Sequence, residues 1–277
     1  MNPVIVANLW IGAGHLDGEI AVLNGYEVFR SVENNGAGAI ISDCSARTVE
    51  YRNRGERMKP AQFVSSLREL KFENVFNPYS DRCEMHDVED APTRRTKALL
   101  DMLGAAVCEE IDALWIGRDL GYRGGRRTGL ALTDDVHLSI HATRWNIPVE
   151  RATAGSMVAE RTAAVIWSIL ASVTAHVFLW NVFPLHPHEP DQPFTNRAHS
   201  PSERAVGEEV LAELIAMLRP RRLVAIGNDA AKSALKIAEV GPVIQVRHPS
   251  YGGQSEFVRQ VRCVYDIKVE TKQRALL

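Results

Sequence analysis

Four short apolar runs in the second half of the chain are separated by stretches with helical spacing. The runs do not alternate between apolar and polar residues, which is typical of parallel strands buried on both faces. One helix is predicted over Gly155–Ala171, and another is predicted after Asn228. Between them, Ser200 is a predicted cap, with proline at the next position and Glu203 three residues on. The predicted strands are Ala113–Gly117, Val177–Val182, Leu223–Gly227 and Val243–Val246.

Strand–helix alternation of this kind predicts a three-layer α/β fold with a short central four-stranded parallel sheet. We expect a single domain over residues 1–277. In it, residues 1–110 form a mixed, mainly helical N-terminal part that packs on the core of residues 111–277. Pro60–Leu70 and Pro92–Cys108 have helical patterns, and Glu50–Lys59 is typical of a charged loop.

One stretch is long enough to span a bilayer, because no Asp, Glu, Lys or Arg occurs from Thr162 to His188. It contains polar residues such as Ser172 and Asn181 and ends in a proline-rich loop. We therefore predict a buried helix followed by a buried strand rather than a membrane span.

The four cysteines form no CxxC pair. This spacing argues against a disulfide framework, a zinc ribbon and an iron–sulfur cluster. The segment Met1–Leu16 lacks the basic region of a signal peptide. We expect a monomeric protein of the reducing cytoplasm.

The net charge of −2 is unevenly distributed along the chain. Gly117–Arg127 carries a local charge of +3 and Gln245–Arg262 a local charge of +2, so the remaining residues carry −7. An acidic body with two basic segments can bind phosphates if those segments meet in space.

Polar side chains follow or end the predicted strands. Asp119 follows the first run, Asn181 lies in the second, and His248 follows the fourth. Ligands of open α/β sheets bind at the carboxyl ends of the strands, so we expect these three residues to converge in an active site. Taken singly, Asp119 could cap a turn, Asn181 could form one, and His248 could lie on the surface.

Three segments, in this order, resemble motifs of the uracil-DNA glycosylase superfamily. Gly117–Thr133 is similar to the family's water-activating loop, which also closes over the base. Leu179–Pro187 resembles the strand whose Asn reads the base, and His248–Ser250 resembles the His-Pro-Ser motif before the DNA-intercalating loop. The resemblance covers about Ala113–Phe257. It implies an enzyme that flips uracil out of DNA, hydrolyses its N-glycosidic bond, releases free uracil and leaves an abasic site.

The chemistry of this reaction suits the residue types. Positive charge develops on the sugar, where the Asp119 carboxylate would place a water and stabilise the cation. The resemblance assigns His248 to the uracil O2 oxygen, as a neutral donor. The Asn181 amide offers one donor and one acceptor to the O4 and N3 edge of uracil. Gly117, Leu132 and Tyr122 are the other residues expected at the base.

The expected DNA contacts lie in the two basic segments. Ser250 is a candidate for binding a phosphate, and Tyr251 or Gln254 for a wedge in the duplex. Phe257 is a weaker wedge candidate, for which we expect ordinary packing. The arginines expected to attract phosphates are Arg123, Arg126 and Arg127.

Two departures from the family bear on specificity. Leu132 stands where relatives usually stack a Phe on the base, so Tyr122, Trp180 or Phe183 would have to compensate. Gly121 supplies no bulky side chain to exclude the thymine methyl group. Tyr122 or Arg123 would have to do so, and strict exclusion of thymine stays open.

Histidines also raise the question of a metal. His137 and His141 are one helical turn apart, and His186, His188 and Glu189 add potential ligands, but no HExxH pattern accompanies them. We expect surface or capping roles for these residues, and no metal or other cofactor.

Three alternatives remain open at this point. The first is a glycosylase of the same architecture for another base, such as hypoxanthine or mismatched thymine. The second is a nucleotide-binding enzyme that cradles phosphate with Gly121–Gly129, although the Lys-Ser/Thr ending of a P-loop is missing. The third is a non-enzymatic binder of damaged DNA, which would not require Asp119.

Overall fold

A computed structural model of the chain describes residues 5–11, 14–23, 26–31, 58–237 and 241–268. The contacts divide the chain into two compact units, Met1–Asn53 and Arg54–Leu277. This division differs from the single domain that the sequence predicted. Most of the predicted loop Glu50–Lys59 lies outside the described residues.

The first unit contains a three-stranded antiparallel sheet in the order β1-β2-β3. Strand β1 is Ile5–Ile11, β2 is Gly14–Leu23 and β3 is Tyr26–Ser31. The sequence predicted a mixed, mainly helical part over residues 1–110 and did not anticipate these three strands. These segments are rich in β-branched and aromatic residues, which favour strands. Among the described residues of 1–110, the helices are Pro60–Glu69 and Ala91–Ala106, and both belong to the second unit.

The second unit is built on a four-stranded, wholly parallel sheet in the order β6-β5-β8-β9, as predicted. A small antiparallel pair, β4 (Val75–Phe76) with β7 (His186–Pro187), lies outside it. The strands of the main sheet are β5 (Ala113–Asp119), β6 (Val177–Phe183), β8 (Arg222–Ile226) and β9 (Val243–Val246).

Helices cover both faces of the sheet, which gives three layers. Side chains along β5 alternate between two apolar clusters: Leu114 and Ile116 join one, Ala113 and Trp115 the other. The first cluster includes residues of α1 (Pro60–Glu69), α2 (Ala91–Ala106), α4 (Leu138–Arg144), α6 (Pro201–Leu218) and α7 (Asn228–Ile237). The second includes residues of α5 (Arg161–Leu170) and α8 (Gln254–Val264), and a short helix, α3 (Gly125–Thr128), lies in the loop after β5.

The charge-free stretch folds as a buried helix and a buried strand, α5 and β6, as predicted. Among the described residues, no helix is long and apolar enough to cross a membrane. Helix α5 begins six residues later than predicted, at Arg161. Gly155 has a positive φ of 71°, and carboxylates of Asp135 and Asp134 accept from the backbone N–H groups of Val158 and Glu160, at 3.2 and 2.6 Å. These carboxylates satisfy backbone donors before the helix begins.

Helix α6 starts as the sequence predicted. Ser200 Oγ accepts a hydrogen bond from the backbone N–H of Glu203, and the Glu203 carboxylate accepts one from the Ser200 backbone N–H. Gly207, one turn further on, lies directly over β6. A Cβ atom there would be 2.3 Å from the backbone oxygen of Val182 and 3.1 Å from the Cα of Phe183. Only glycine lets helix and strand approach this closely.

We predict that Gly207→Ala destabilises the protein by about 1–3 kcal/mol, because the added methyl group meets backbone that has to shift. Gly104 in α2 is the matched control, since a Cβ there meets nothing within 4 Å. Gly104→Ala should be neutral or stabilising by up to about 1 kcal/mol. Urea unfolding at a fixed pH measures both. Equal stability of the two variants would contradict the close approach of α6 to β6.

Candidate active site

The carboxyl ends of the parallel strands carry the residues that the sequence singled out. Asp119 is the last residue of β5, Asn181 lies in the neighbouring strand β6, and His248 comes two residues after β9. Gly117 pairs with Asn181 across the sheet. The predicted site residues are therefore at one edge of the sheet.

Gly117, Asn181 and Leu132 meet at this edge. A Cβ atom on Gly117 would lie 2.6 Å from Asn181 Nδ2 and 3.0 Å from the Leu132 side chain. Asn181 is 1% exposed, and its Nδ2 donates to the backbone oxygen of Asp119 at 3.0 Å. Its Oδ1 atom is buried and finds no hydrogen-bond partner among the residues that the structure describes. A buried unpaired acceptor is costly unless a ligand supplies the donor.

The Asp119 carboxylate is held from both sides. Arg118 Nε donates to its Oδ2 atom at 2.7 Å, and the Nδ1 atom of the buried His199 contacts its Oδ1 atom. Arg204 Nε donates to His199 Nε2 at 3.0 Å. Since Nε2 accepts, the proton of a neutral His199 lies on Nδ1 and points at Asp119. The carboxylate is therefore fixed in one orientation.

Arg118 and Arg204 also share a second carboxylate. Asp229, in the first turn of α7, lies 3.5 Å from Arg118 and 3.9 Å from Arg204. Asp119, His199, Arg204, Asp229 and Arg118 thus form a closed ring, here called the Asp119 ring. Sequence reasoning missed His199, Arg204 and Asp229. The available signal was their position at the starts of helices that begin at the same sheet edge.

His248 is oriented by its own loop. The backbone N–H of Ser250 donates to His248 Nδ1 at 3.1 Å, which leaves the proton of the neutral ring on Nε2. Burial and the charges of Arg118 and Arg247 lower the pKa of His248. Gly227, with φ of 90°, lies beside the ring, since a Cβ there would be 3.2 Å from His248 Cβ. At neutral pH His248 is an uncharged hydrogen-bond donor.

The predicted DNA contacts in the loop after β5 divide into exposed and buried residues. Arg123 is exposed and lies over the Tyr122 ring at 5.6 Å. Arg126 is 3% exposed, with its guanidinium 4.0 Å from the Phe76 ring and 5.0 Å from the Phe194 ring.

Arg127, the next residue, is 5% exposed and pairs with the buried Asp135 at 2.8 Å. Arg126 and Arg127 were predicted to attract phosphates at longer range. Their guanidinium groups are buried against aromatic rings and a carboxylate. Two arginines of this loop are therefore buried inside the protein, and Arg123 is exposed.

The loop after β9 projects an aromatic side chain. Tyr251 is 99% exposed and has a positive φ of 52°, and Gly252 follows with φ of 74°. Ser250 is half-buried, with its Oγ 3.4 Å from Thr162 Oγ1, and Gln254 is exposed at the start of α8. Phe257 is fully buried against Trp115, with ring centroids 6.2 Å apart, as expected for ordinary packing.

The proposed substitutes for a stacking Phe are not equally placed. Trp180 and Phe183 are 2% and 0% exposed and belong to the apolar core. Tyr122 is half-buried at the edge, where its backbone N–H donates to Asn196 Oδ1 at 2.9 Å. Of the three side chains, Tyr122 is therefore the one that is not enclosed in the apolar core.

The histidines considered as metal ligands have protein partners. His137 Nδ1 lies 2.6 Å from Asp134 Oδ1, and His141 Nδ1 lies 2.8 Å from Thr133 Oγ1. Burial lowers the pKa of His141 to about 3. His186 Nδ1 contacts the backbone oxygen of Leu120 at 2.8 Å. Within residues 58–237 and 241–268, no group of three or more His, Cys, Asp or Glu is arranged to hold a metal ion.

The chain is similar to known proteins in sequence pattern and in fold. The family model of the uracil DNA glycosylase superfamily matches residues 107–264, more than half of the chain. The fold is similar to the crystal structure of wild-type SMUG2 from Pedobacter heparinus, with a TM-score of 0.54 and 14% identity, over 76% of this chain and 97% of that one. No curated protein sequence matches. On the strength of the family match, this chain belongs to the uracil DNA glycosylase superfamily.

Proposed function

We propose that this protein is a DNA glycosylase that hydrolyses the N-glycosidic bond of uracil in DNA, releasing the base and leaving an abasic site. One observation carries the proposal. The carboxylate of Asp119 is fixed by two donors, and the backbone oxygen of the same residue accepts a hydrogen bond from Asn181, whose buried amide oxygen is unpaired among the described residues. Superfamily membership supports the general class of DNA glycosylase, and the uracil substrate is our inference from the amide.

Asp119 acts on the sugar side of the bond. As the bond breaks, positive charge develops on the sugar, and a nearby fixed carboxylate stabilises it without having to reorient. Both oxygens of Asp119 already accept hydrogen bonds, from Arg118 and His199. Its role is therefore electrostatic stabilisation together with positioning of the attacking water.

Asn181 reads the base. Its Nδ2 has a second hydrogen besides the one given to Asp119, and its Oδ1 is unpaired. The amide thus offers one donor and one acceptor, which match the O4 atom and N3–H group of uracil. Cytosine presents the reverse pattern at that edge, and each group left unpaired costs roughly 1–3 kcal/mol.

His248 completes the base side. Because Ser250 occupies its Nδ1 atom, the Nε2–H group is available to the uracil O2 oxygen, where negative charge develops as the base departs. Its lowered pKa keeps the ring uncharged at neutral pH. The ring therefore serves as a hydrogen-bond donor rather than as a cation.

The loop after β9 contacts the DNA. Extruding a base costs a few kcal/mol, so the protein has to fill the gap and hold the backbone. Tyr251, fully exposed at the tip, is the wedge, and Gln254, three residues later, is the second candidate. Ser250 and Arg123 are the phosphate contacts.

We predict that Asp119→Asn lowers uracil excision by about 10²–10⁴-fold while DNA affinity changes little, since the charge acts on the transition state. Alkali cleavage of labelled oligonucleotides containing uracil, hypoxanthine, or thymine opposite guanine measures excision. Asp112→Asn is the control, because Asp112 precedes the same strand and pairs with Arg222.

The outcomes separate the alternatives. Equal excision by wild type and Asp119→Asn would remove Asp119 from the mechanism. Cleavage of only the hypoxanthine or the thymine substrate would assign another base. Binding of damaged DNA without cleavage of any substrate would identify a binding protein.

We predict that Tyr251→Ala slows excision from duplex DNA by about tenfold or more and spares single-stranded DNA, which has no stack to open. The side chain is exposed, so the thermal unfolding temperature should stay the same. Single-turnover rates on the two substrates provide the measurement. The same loss on both substrates would argue against a wedge.

A further inference from the structure

The carboxyl group of Glu160 fills a space that two glycines leave open. A Cβ atom on Gly121 would lie 2.5 Å from Glu160 Oε1, and one on Gly124 would lie 1.9 Å from Oε2. Both glycines belong to the loop that directly follows Asp119. We call Gly121 and Gly124 the glycine cradle. Glu160 thus occupies the volume that a side chain at position 121 would take.

Glu160 also lies between the two loops of the active site. It is the residue before α5, and Thr162 in the first turn of that helix has its Oγ1 atom 3.4 Å from Ser250 Oγ. Further along α5, Trp167 Nε1 donates to the backbone oxygen of Leu132 at 3.1 Å. Helix α5 and the residue before it therefore contact the loop after β5, which contains Leu132, and the loop after β9, which contains His248.

The surroundings of the Glu160 carboxyl favour its protonated form. Across residues 58–237 and 241–268, no group donates a hydrogen bond to it, whereas its backbone N–H donates to Asp134 Oδ2 at 2.6 Å. Burial and the negative charge of Asp134 raise the pKa of Glu160 to about 7. Near neutral pH the group is both a hydrogen-bond donor and an acceptor.

Other ionisable groups lie on the elements around Glu160. Asp134 is paired with His137, and Asp135 is paired with Arg127. The titratable and charged side chains on the loop after β5, on the segment before α4, on α5 and on the loop after β9 are Tyr122, Arg123, Arg126, Arg127, Asp134, Asp135, His137, Arg161, Arg247, His248 and Tyr251.

Resting on the proposed glycosylase function, we propose that Glu160 is a specificity-determining residue that hydrogen-bonds the extruded base across the glycine cradle. In its protonated form it donates to a carbonyl oxygen, and in its ionised form it accepts from an exocyclic amino group. A carbonyl oxygen has two lone pairs, so the O4 atom of uracil can accept from Asn181 and Glu160 together. The protonation state of Glu160 thereby decides which base edge fits.

Binding of uncleavable DNA tests this. Duplexes containing a 2′-fluoro-substituted uridine or the matched cytidine at one position are titrated at pH 6.0 and pH 8.5, and fluorescence anisotropy gives both affinities. The uracil-to-cytosine affinity ratio of the wild type should fall at least about fivefold from pH 6.0 to 8.5. The ratio cancels any pH dependence that both duplexes share, including that of His248.

Three variants assign the effect. In Glu160→Gln, which keeps the size of the side chain without its titration, the ratio should be the same at both pH values. In Gly124→Ala, which leaves the carboxyl in the chain and displaces it from the cradle, the pH dependence should likewise disappear. Glu150→Gln removes an exposed carboxylate that pairs with Arg94, and should behave as the wild type does.

The two hypotheses fail separately. The reference is an unmodified duplex, without the 2′-fluoro-substituted nucleotide. If the wild type binds neither modified duplex more tightly than this reference, both the proposed function and this inference are overturned. If the wild type prefers uracil but Glu160→Gln keeps the wild-type pH dependence, or the wild-type ratio does not change with pH, only the role of Glu160 is overturned.

Discussion

The pairing of one carboxylate with its neighbours connects the fold to the site. Asp119 is almost buried, and a buried charge is costly unless partners surround it. The Asp119 ring supplies Arg118 from β5 and His199 from the segment before α6. Arg204 in α6 and Asp229 in the first turn of α7 hold these two partners in turn. The charged groups of the ring alternate in sign, and His199 lies between Arg204 and Asp119. The ring therefore fixes the position of the strand end and the chemistry of the carboxylate together.

The sheet and its polar edge could be predicted from the sequence because both depend on local patterns. Continuous apolar runs predict strands buried on both faces, and Asp119, Asn181 and His248 follow from where those runs end. The structure brings Asp119 and Asn181 into direct hydrogen-bond contact through the Asp119 backbone. The Ser200 cap was likewise predictable, since it needs only residues within one helical turn.

Features that depend on distant contacts could not be predicted in this way. The Arg126 guanidinium is enclosed by Phe76 and Phe194, and neither ring is a neighbour in sequence. A count of charges treats a buried arginine and an exposed one alike, so the basic segment looked more available to DNA than it is. The strands β1, β2 and β3 were also not predicted, because their pairing joins residues that are distant in the sequence, such as Ile5 with Ile20.

The glycines of the loop after β5 have a different meaning in the structure than in the sequence. In the sequence, Gly121 is a position with no side chain that could exclude the thymine methyl group. In three dimensions the same position is filled by a carboxyl from the start of α5, delivered by a different element. A fixed side chain on the loop would offer one shape, whereas a titratable carboxyl offers a hydrogen-bonding pattern that depends on its proton. Burial and the charge of Asp134 raise the pKa of Glu160, and Asp134 also accepts a hydrogen bond from the Glu160 backbone N–H. The same aspartate therefore helps both to place this carboxyl and to set its protonation.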